Sequence, residues 1–130
     1  MLGGTGFIGR QIVAALKQKN VNVIVDTRKN TVNNIEFIQV NLQKMTQAND
    51  WQASDGQVRL NNIDVVVNAV GILRERGLGK NLETYANIHA LAVKSLADAC
   101  AKTGAKLLYI SAIGLSAQAK SYFICSKLGL

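Results

Sequence analysis

Apolar and polar residues follow two kinds of pattern along this chain: short apolar runs and longer segments with helical spacing. The apolar runs predict strands near residues 21–25, 35–40, 64–68 and 106–111. Apolar side chains that recur every three or four positions predict helices near residues 7–19, 82–103 and 120–129. Strands that alternate with helices are typical of proteins with a parallel sheet, so we expect a doubly wound α/β fold.

The same pattern predicts which side chains are buried. The first helix has an apolar stripe formed by Ile8, Ile12, Val13 and Leu16. The long helix has another, formed by Tyr85, His89, Ala92, Leu96 and Ala99. Three consecutive valines, Val65–Val67, predict a strand buried on both faces. Residues 43–62 are polar and weakly periodic, with one short helix expected near Met45–Trp51.

Glycine is concentrated immediately before the first helix. Gly3, Gly6 and Gly9 follow the spacing Gly-x-x-Gly-x-x-Gly, and a hydrophobic strand ending in Asp26 follows about 20 residues later. Glycine lets the backbone approach a bulky anion, and a helix N-terminus offers that anion unpaired N–H groups and a positive dipole end. The loop therefore predicts the dinucleotide-binding βαβ unit of a Rossmann-like fold, the alternative being a tight turn without a ligand.

Only Met1 and Leu2 precede the glycine loop, where a buried strand of about five residues is expected. The chain also ends at Leu130, inside a predicted helix. We therefore expect a partial domain over residues 1–130, truncated at its first strand. In the usual strand order, 3-2-1-4-5, that strand is central, so its neighbours would keep unpaired edges and the chain alone would be poorly soluble.

Composition restricts the class of protein. Hydrophobic residues make up 48% of the chain and charged residues 18%, as in a globular domain, and no apolar run is long enough for a membrane span. The net charge of +7 comes from scattered Lys and Arg without interleaved aromatics, which argues against a nucleic-acid partner. Cys100 and Cys125 have no metal-ligand spacing and are expected to be reduced thiols of a cytoplasmic protein, and one histidine argues against a metal site.

Three motifs together resemble the extended and atypical short-chain dehydrogenase/reductase family, which comprises NAD-dependent epimerases/dehydratases and NmrA-like proteins. They are the glycine loop and the segments Asp64–Gly71 and Leu107–Gly114. The stretch Val70–Gly77, with His89 and residues 111–114, is most similar to the branch that contains the accessory NAD(P)H-binding subunit of respiratory complex I. Members of the family are longer and carry a C-terminal substrate lobe that this chain lacks.

The resemblance implies that the cofactor is NAD(P)(H) and assigns its contacts by position. The pyrophosphate would be held by Gly3, Gly4, Thr5, Gly6, Phe7, Ile8 and Gly9. Residues 26–29 would lie at the adenosine ribose, and Asn41 and Leu42 against the adenine. The path to the nicotinamide would be lined by Ala69, Val70 and Gly71. Asn41 can also be an ordinary strand-end turn residue, and Ala69–Gly71 a tight exit from a buried strand.

The end of the second predicted strand bears on the choice between the two nicotinamide cofactors. Asp26 could accept the ribose hydroxyls of NAD and would repel a 2′-phosphate. Arg28 and Lys29 could instead clamp the 2′-phosphate of NADP, the arginine by two parallel hydrogen bonds. Two cations against one carboxylate favour NADP(H).

The resemblance also implies a catalytic pair, a tyrosine with a lysine four residues later that binds ribose. The candidates are Tyr122 and Lys127, which are five residues apart, so on a regular helix they lie about 140° apart instead of about 40°. Phe123 occupies the position four before the lysine, and Ala112 stands where relatives place a serine, for which Ser111 could substitute. We therefore do not expect the usual hydride-transfer chemistry, unless a π-bulge restores the geometry.

Two further features have ordinary structural explanations. His89 lies on an inward stripe, and a lone histidine there is more often packed and hydrogen-bonded than catalytic. The charged residues Arg74, Glu75, Arg76 and Lys80 follow the fourth predicted strand, at the rim where ligands bind in this fold. Such a cluster in a loop is usually solvated.

Three functions remain open. The chain could hold its cofactor structurally and act through protein partners such as respiratory complex I subunits, peripheral to the inner membrane. It could belong to an NAD(P)-dependent oxidoreductase or epimerase that acts on a small carbonyl or sugar-nucleotide substrate. It could also be a truncated product without function. A Tyr-x-x-x-Lys pair in register would favour the enzyme.

Overall fold

The computed structural model describes residues 1–28, 36–53, 56, 59–79 and 82–128. Its strands are β1 (Val25–Thr27), β2 (Phe37–Gln39), β3 (Val65–Asn68) and β4 (Lys106–Tyr109). Its helices are α1 (Phe7–Gln18), α2 (Ala92–Thr103) and α3 (Tyr122–Lys127), with a 3₁₀ turn at Ala48–Trp51 and a π-helical segment at Ala86–Leu91 that runs into α2. The predicted alternation of strands and helices is therefore present.

Two parallel strand pairs are joined by the first two residues of the chain. β1 pairs with β2 and β3 with β4, both in parallel. The Leu2 N–H donates to the Val67 carbonyl at 2.8 Å, and the Asp26 N–H donates to the Met1 carbonyl at 3.2 Å. The spatial order is therefore β2, β1, Met1–Leu2, β3, β4, which confirms the predicted Rossmann-like parallel arrangement.

The sequence predicts unpaired edges on the strands that flank Met1 and Leu2, but in the structure these two residues pair with part of each edge. The Leu2 carbonyl also accepts the Ala69 N–H at 3.0 Å, and the Met1 amine donates to the Ile24 carbonyl at 2.7 Å. The core beside these two residues is not completely filled. A cavity of about 240 Å³ lies there, with Trp51 and Val66 among its lining residues.

Several predicted bounds and burial patterns were wrong. β1 begins at Val25 instead of residue 21, because its register with β2 begins at the pair Val25–Phe37. Val65 is 45% exposed, so β3 is not covered on both faces, and Ile8 is 54% exposed. In the described part of the chain no strand or helix packs extensively against α1, which explains the incomplete burial of its stripe.

The long helix begins later than residue 82 because the preceding residues have other partners. The backbones of Arg76 and Glu83 pair as a short antiparallel bridge, and the Thr84 hydroxyl accepts the Asn87 N–H at 3.1 Å. From His89 onward the predicted stripe is buried, and Leu96 and Ala92 are completely covered.

The described residues contain no helix that is long and apolar enough to cross a membrane. They also contain no group of three or more His, Cys, Asp or Glu side chains arranged to hold a metal ion.

Candidate functional site

A cleft of about 480 Å³ opens at the carboxyl ends of β1 and β3. Its lining includes nine of the residues assigned to the cofactor by sequence: Gly3, Thr5, Gly6, Asp26, Arg28, Leu42, Ala69, Val70 and Gly71. Six others lie outside that lining: Gly4, Phe7, Ile8, Gly9, Asn41 and Lys127. Lys29 lies outside the described residues. The lining also includes residues that the sequence did not predict, among them Gln43 and Ile88.

The glycine loop is tied to the end of β1 by one carboxylate. Asp26 Oδ1 accepts the Gly3 N–H at 2.8 Å and the Gly4 N–H at 3.2 Å. The loop turns back on itself where the Gly6 N–H donates to the Gly3 carbonyl at 3.0 Å. Gly3 has φ = +76°, a left-handed conformation that glycine adopts without strain. Asp26 therefore positions the loop as well as lining the cleft.

Close contacts explain three of the loop glycines, with backbone atoms at Gly3 and Gly9 and with a side chain at Gly4. A β-carbon on Gly9 would overlap the carbonyl group of Gly3. One on Gly3 would lie 3.0 Å from the Ala69 carbonyl carbon, and one on Gly4 would lie 2.6 Å from Val25 Cγ1. These residues need glycine for packing between the loop, β1 and the exit from β3.

Gly6 lines the cleft, as Gly3 does, but a β-carbon on Gly6 would have more room than one on Gly3, Gly4 or Gly9. A β-carbon there would lie 3.2 Å from the Gly3 carbonyl oxygen and within 4 Å of no other atom of the described residues that are distant from it in sequence. Gly6 is also the residue immediately before α1, with an extended ψ of 175°. The N-terminus of α1 thus meets the cleft at a residue without a side chain, and first-turn N–H groups of a helix are suited to a phosphate.

Three charged side chains form an ion-pair cluster at the β1 end of the cleft. Glu83 Oε1 lies 2.7 Å from Arg28 Nη2, and Glu83 Oε2 lies 2.5 Å from Arg76 Nε. Burial of Glu83 would raise the pKa of its carboxyl group, but the hydrogen bond from Arg76 and the charges of both arginines outweigh burial and lower it. Glu83 is therefore ionised at neutral pH.

The cluster corrects part of the sequence interpretation. The sequence predicts that Arg76 is solvated, and its side chain is indeed 68% exposed, but it is also paired with Glu83. Glu83 itself was not identified as a site residue. The opposite charges of residues 76 and 83, at either end of a loop rich in glycine, are the only sequence signal for this pair. Lys80 lies outside the described residues.

His89 is a packed, hydrogen-bonded residue, as the sequence suggested. Its Nε2 accepts the Ile72 N–H at 3.0 Å, so Nδ1 carries the proton and donates to Ser126 Oγ at 2.9 Å. The ring packs edge-on against Phe123, with centroids 5.3 Å apart. Burial and the charge of Lys127 lower the His89 pKa from 6.5 to about 4, so the imidazole is neutral at pH 7.

Lys127 lies at the Gly71 end of the cleft. Its Nζ donates to the Ile110 carbonyl at 3.3 Å and lies 4.6 Å from the centroid of the Tyr109 ring. A β-carbon on Gly71 would lie 3.5 Å from this Nζ and equally far from His89 Nε2. Burial lowers the pKa of the Lys127 ammonium group. The lysine is therefore next to the segment assigned to the nicotinamide path.

The structure does not bring Tyr122 to the same place. Tyr122 is 85% exposed, whereas the next residue, Phe123, contacts His89 and Tyr85 through its ring. α3 is α-helical from Tyr122 to Lys127, without the π-bulge that would realign them. Ser111 is exposed just beyond β4. The catalytic assignment of these residues stays a prediction.

Comparisons with known proteins address the fold and the family. UDP-N-acetylglucosamine 4-epimerase from Bacillus cereus is 22% identical, with a TM-score of 0.65, and the match covers 98% of this chain and 44% of that protein. MoeE5 in complex with UDP-glucose and NAD is 19% identical, with a TM-score of 0.66 and the same two coverages. At this identity the likeness shows the fold, and the chain spans less than half the length of either protein.

No curated protein matches the sequence significantly. The model of the NAD dependent epimerase/dehydratase family, however, matches residues 1–121. That match covers most of the chain and includes the glycine loop, Asp26 and the segment that leaves β3. The chain therefore belongs to the NAD dependent epimerase/dehydratase family.

Proposed function

We propose that this chain is the NAD(P)(H)-binding part of a short-chain dehydrogenase/reductase of the epimerase/dehydratase type. The observation that carries the proposal is the glycine loop, which Asp26 holds in place and which leaves Gly6 facing an open cleft at the start of α1. A dinucleotide pyrophosphate fits this arrangement because it needs close backbone approach and unpaired N–H groups.

The residues around the cleft suit the rest of the cofactor. Asp26, Thr27 and Arg28 line the cleft and would bind the adenosine ribose, and Leu42, also in the lining, would contact the adenine. Ala69, Val70 and Gly71 lead towards Lys127, whose ammonium group would donate hydrogen bonds to the nicotinamide ribose. The nicotinamide ring, when bound, supplies hydride transfer. The chain's own contribution is to bind and orient it.

The cofactor preference is part of this proposal. We favour NADP(H) because cationic side chains follow Asp26 in the sequence. One of them, Arg28, lines the cleft. Measuring NADPH and NADH affinities in Arg28→Ala tests this preference. An unchanged ratio would return the preference to NAD.

We further propose that the cofactor is held structurally, and that the protein works through partners such as respiratory complex I subunits. The exposed Tyr122 and the inward Phe123 support a structural role, because a phenyl ring cannot exchange a proton. The complex I branch rests on the resemblance of residues 70–77. A cytoplasmic location, peripheral to the inner membrane through that complex, stays a prediction from the same resemblance.

The second candidate function is an NAD(P)-dependent oxidoreductase or epimerase acting on a carbonyl or sugar-nucleotide substrate. The position of Lys127 beside Gly71 favours it, since the lysine of the family's catalytic pair would be in place. Turnover of a panel of carbonyl compounds and UDP-sugars would support the enzyme over the scaffold.

Cofactor binding is tested by titrating NADH and NADPH into the parent chain and into Gly6→Val. A branched side chain at Gly6 would occupy the space that the pyrophosphate needs, so we expect loss of binding to both. Ala101→Val, on an exposed position of α2, is the matched control and should bind like the parent. Equal binding by Gly6→Val and the control would contradict the proposed site.

A further inference from the structure

We propose that Glu83 is a specificity-determining residue, which shifts the preference of the cleft away from NADP(H) and towards NAD(H) by holding Arg28 and Arg76 in the ion-pair cluster. The inference rests on the proposed function, because it concerns the adenosine end of the same cofactor site. Glu83 lies in neither the glycine loop nor the strand end that follows it, where the preference is expected to be encoded.

The geometry makes Glu83 the centre of the cluster. Its side chain is only 9% exposed, while those of Arg28 and Arg76 are 65% and 68% exposed and line the cleft. The two arginines come from different parts of the chain, one just beyond β1 and the other from the segment after β3. Each of them contacts a different oxygen of the one carboxylate.

The backbone of Glu83 is paired with that of Arg76. The Glu83 N–H donates to the Arg76 carbonyl at 2.6 Å, and the Arg76 N–H donates to the Glu83 carbonyl at 3.2 Å. These two bonds hold the backbone of Glu83 beside that of Arg76, and the side chain of Glu83 is nearly covered. The arginine side chains, which are exposed, can move more freely.

The charges of the cluster affect the two cofactors differently. A phosphate monoester carries about −1.5 to −2 charge at pH 7, whereas the ribose hydroxyls of NAD are neutral. A 2′-phosphate would have to compete with the ionised Glu83 for the arginine N–H groups and would be repelled by its charge. The neutral ribose hydroxyls of NAD are not repelled by Glu83, and they do not need to displace it from the arginines. Glu83 thus disfavours NADP(H) selectively, whatever the absolute preference of the cleft.

The test is to measure the dissociation constants of NADH and NADPH in the full chain and in Glu83→Gln. The amide keeps an acceptor for Arg76 but has no charge, so we expect the affinity for NADPH relative to NADH to rise about tenfold. Arg76→Gln removes a cation and leaves Glu83 paired with Arg28 alone, so the same ratio should fall. Asp98→Asn, which removes a carboxylate from the exposed Lys94–Asp98 pair, is the control and should not change the ratio.

The opposite shifts distinguish an electrostatic role from a structural one. If the cluster only held the loop closed, both variants would weaken NADH and NADPH in parallel, and that result would overturn the inference while leaving the proposed function intact. Where Glu83→Gln does not fold, the direction of the shift in Arg76→Gln decides the question. A parent chain that binds neither dinucleotide would overturn the proposed function and this inference with it.

Discussion

Asp26 and Gly3 are joined by a hydrogen bond of 2.8 Å from the Gly3 N–H to the Asp26 carboxylate, which links the end of β1 to the loop before α1. Because the same oxygen also accepts the Gly4 N–H, removing it would leave two half-buried donors without their acceptor. The carboxylate that family resemblance assigns to ribose binding thus also has a structural role.

We expect Asp26→Ala to lower the free energy of unfolding by about 1–3 kcal/mol, since two charge-assisted hydrogen bonds are lost. Denaturant unfolding of the chain measures this change. Asp98→Ala, on the exposed face of α2, should change it by no more than about 0.5 kcal/mol. Equal effects of the two substitutions would show that Asp26 does not position the loop.

Gly9 lies inside α1, where an alanine normally stabilises a helix by about 0.5–1 kcal/mol. Here the added β-carbon would overlap the backbone carbonyl of Gly3, which cannot rotate away as a side chain could. We therefore expect Gly9→Ala to destabilise the chain by about 2 kcal/mol or more. Gln11→Ala, at an exposed position of the same helix, should be neutral or stabilising. A stabilising Gly9→Ala would contradict the tight loop–helix contact.

The glycine loop and α1 could be predicted almost to the residue because their signals are local. Spaced glycines indicate the turn, and helical periodicity begins immediately after it. Strand lengths were overestimated because the ends of a strand depend on its neighbours. Val21, Val23 and Ile24 are as apolar as Val25, but among the described residues the pairing with β2 begins only at Val25.

The residues of the cleft could be predicted where their sequence signal is local, as for the glycine loop. Asp26 and Arg28 follow a strand end next to the glycine loop, so their placement at the cleft follows from topology. Glu83 could not be placed, because its position depends on the loop from residue 76 and on an arginine 55 positions earlier in the chain. Such contacts have no periodic signature.

Tyr122 and Lys127 separate the two candidate functions. Because Tyr122 is 85% exposed, we expect Tyr122→Phe to leave dinucleotide binding unchanged. We also expect the substitution to cause no loss of turnover. Lys127→Met removes the ammonium group next to Gly71 and should weaken dinucleotide binding about tenfold or more. The measurements are NAD(P)H titrations and an assay on a panel of carbonyl compounds. Robust turnover that disappears in Tyr122→Phe would refute the scaffold proposal.

His89 should make the stability of the chain depend on pH. Its pKa in the folded state is about 4, while in the unfolded state it returns towards 6.5. As the pH falls below 6.5 the unfolded chain binds a proton that the folded chain does not. Stability should therefore be lost progressively as the pH falls from 6.5 to 4, by up to about 3 kcal/mol.

The measurement is the free energy of unfolding at several pH values between 6.5 and 4.5, in the parent and in His89→Gln. Burial also lowers the pKa of the Met1 amine, against the opposing charge of Asp26, but that group titrates in the parent and in the variant alike. The difference between parent and variant isolates His89. The glutamine cannot titrate, so its curve should be flatter in this range even though its overall stability is lower. Parallel curves would show that His89 accepts a proton as readily in the folded chain as in the unfolded one, and that its ring is not held neutral between Ile72 and Ser126.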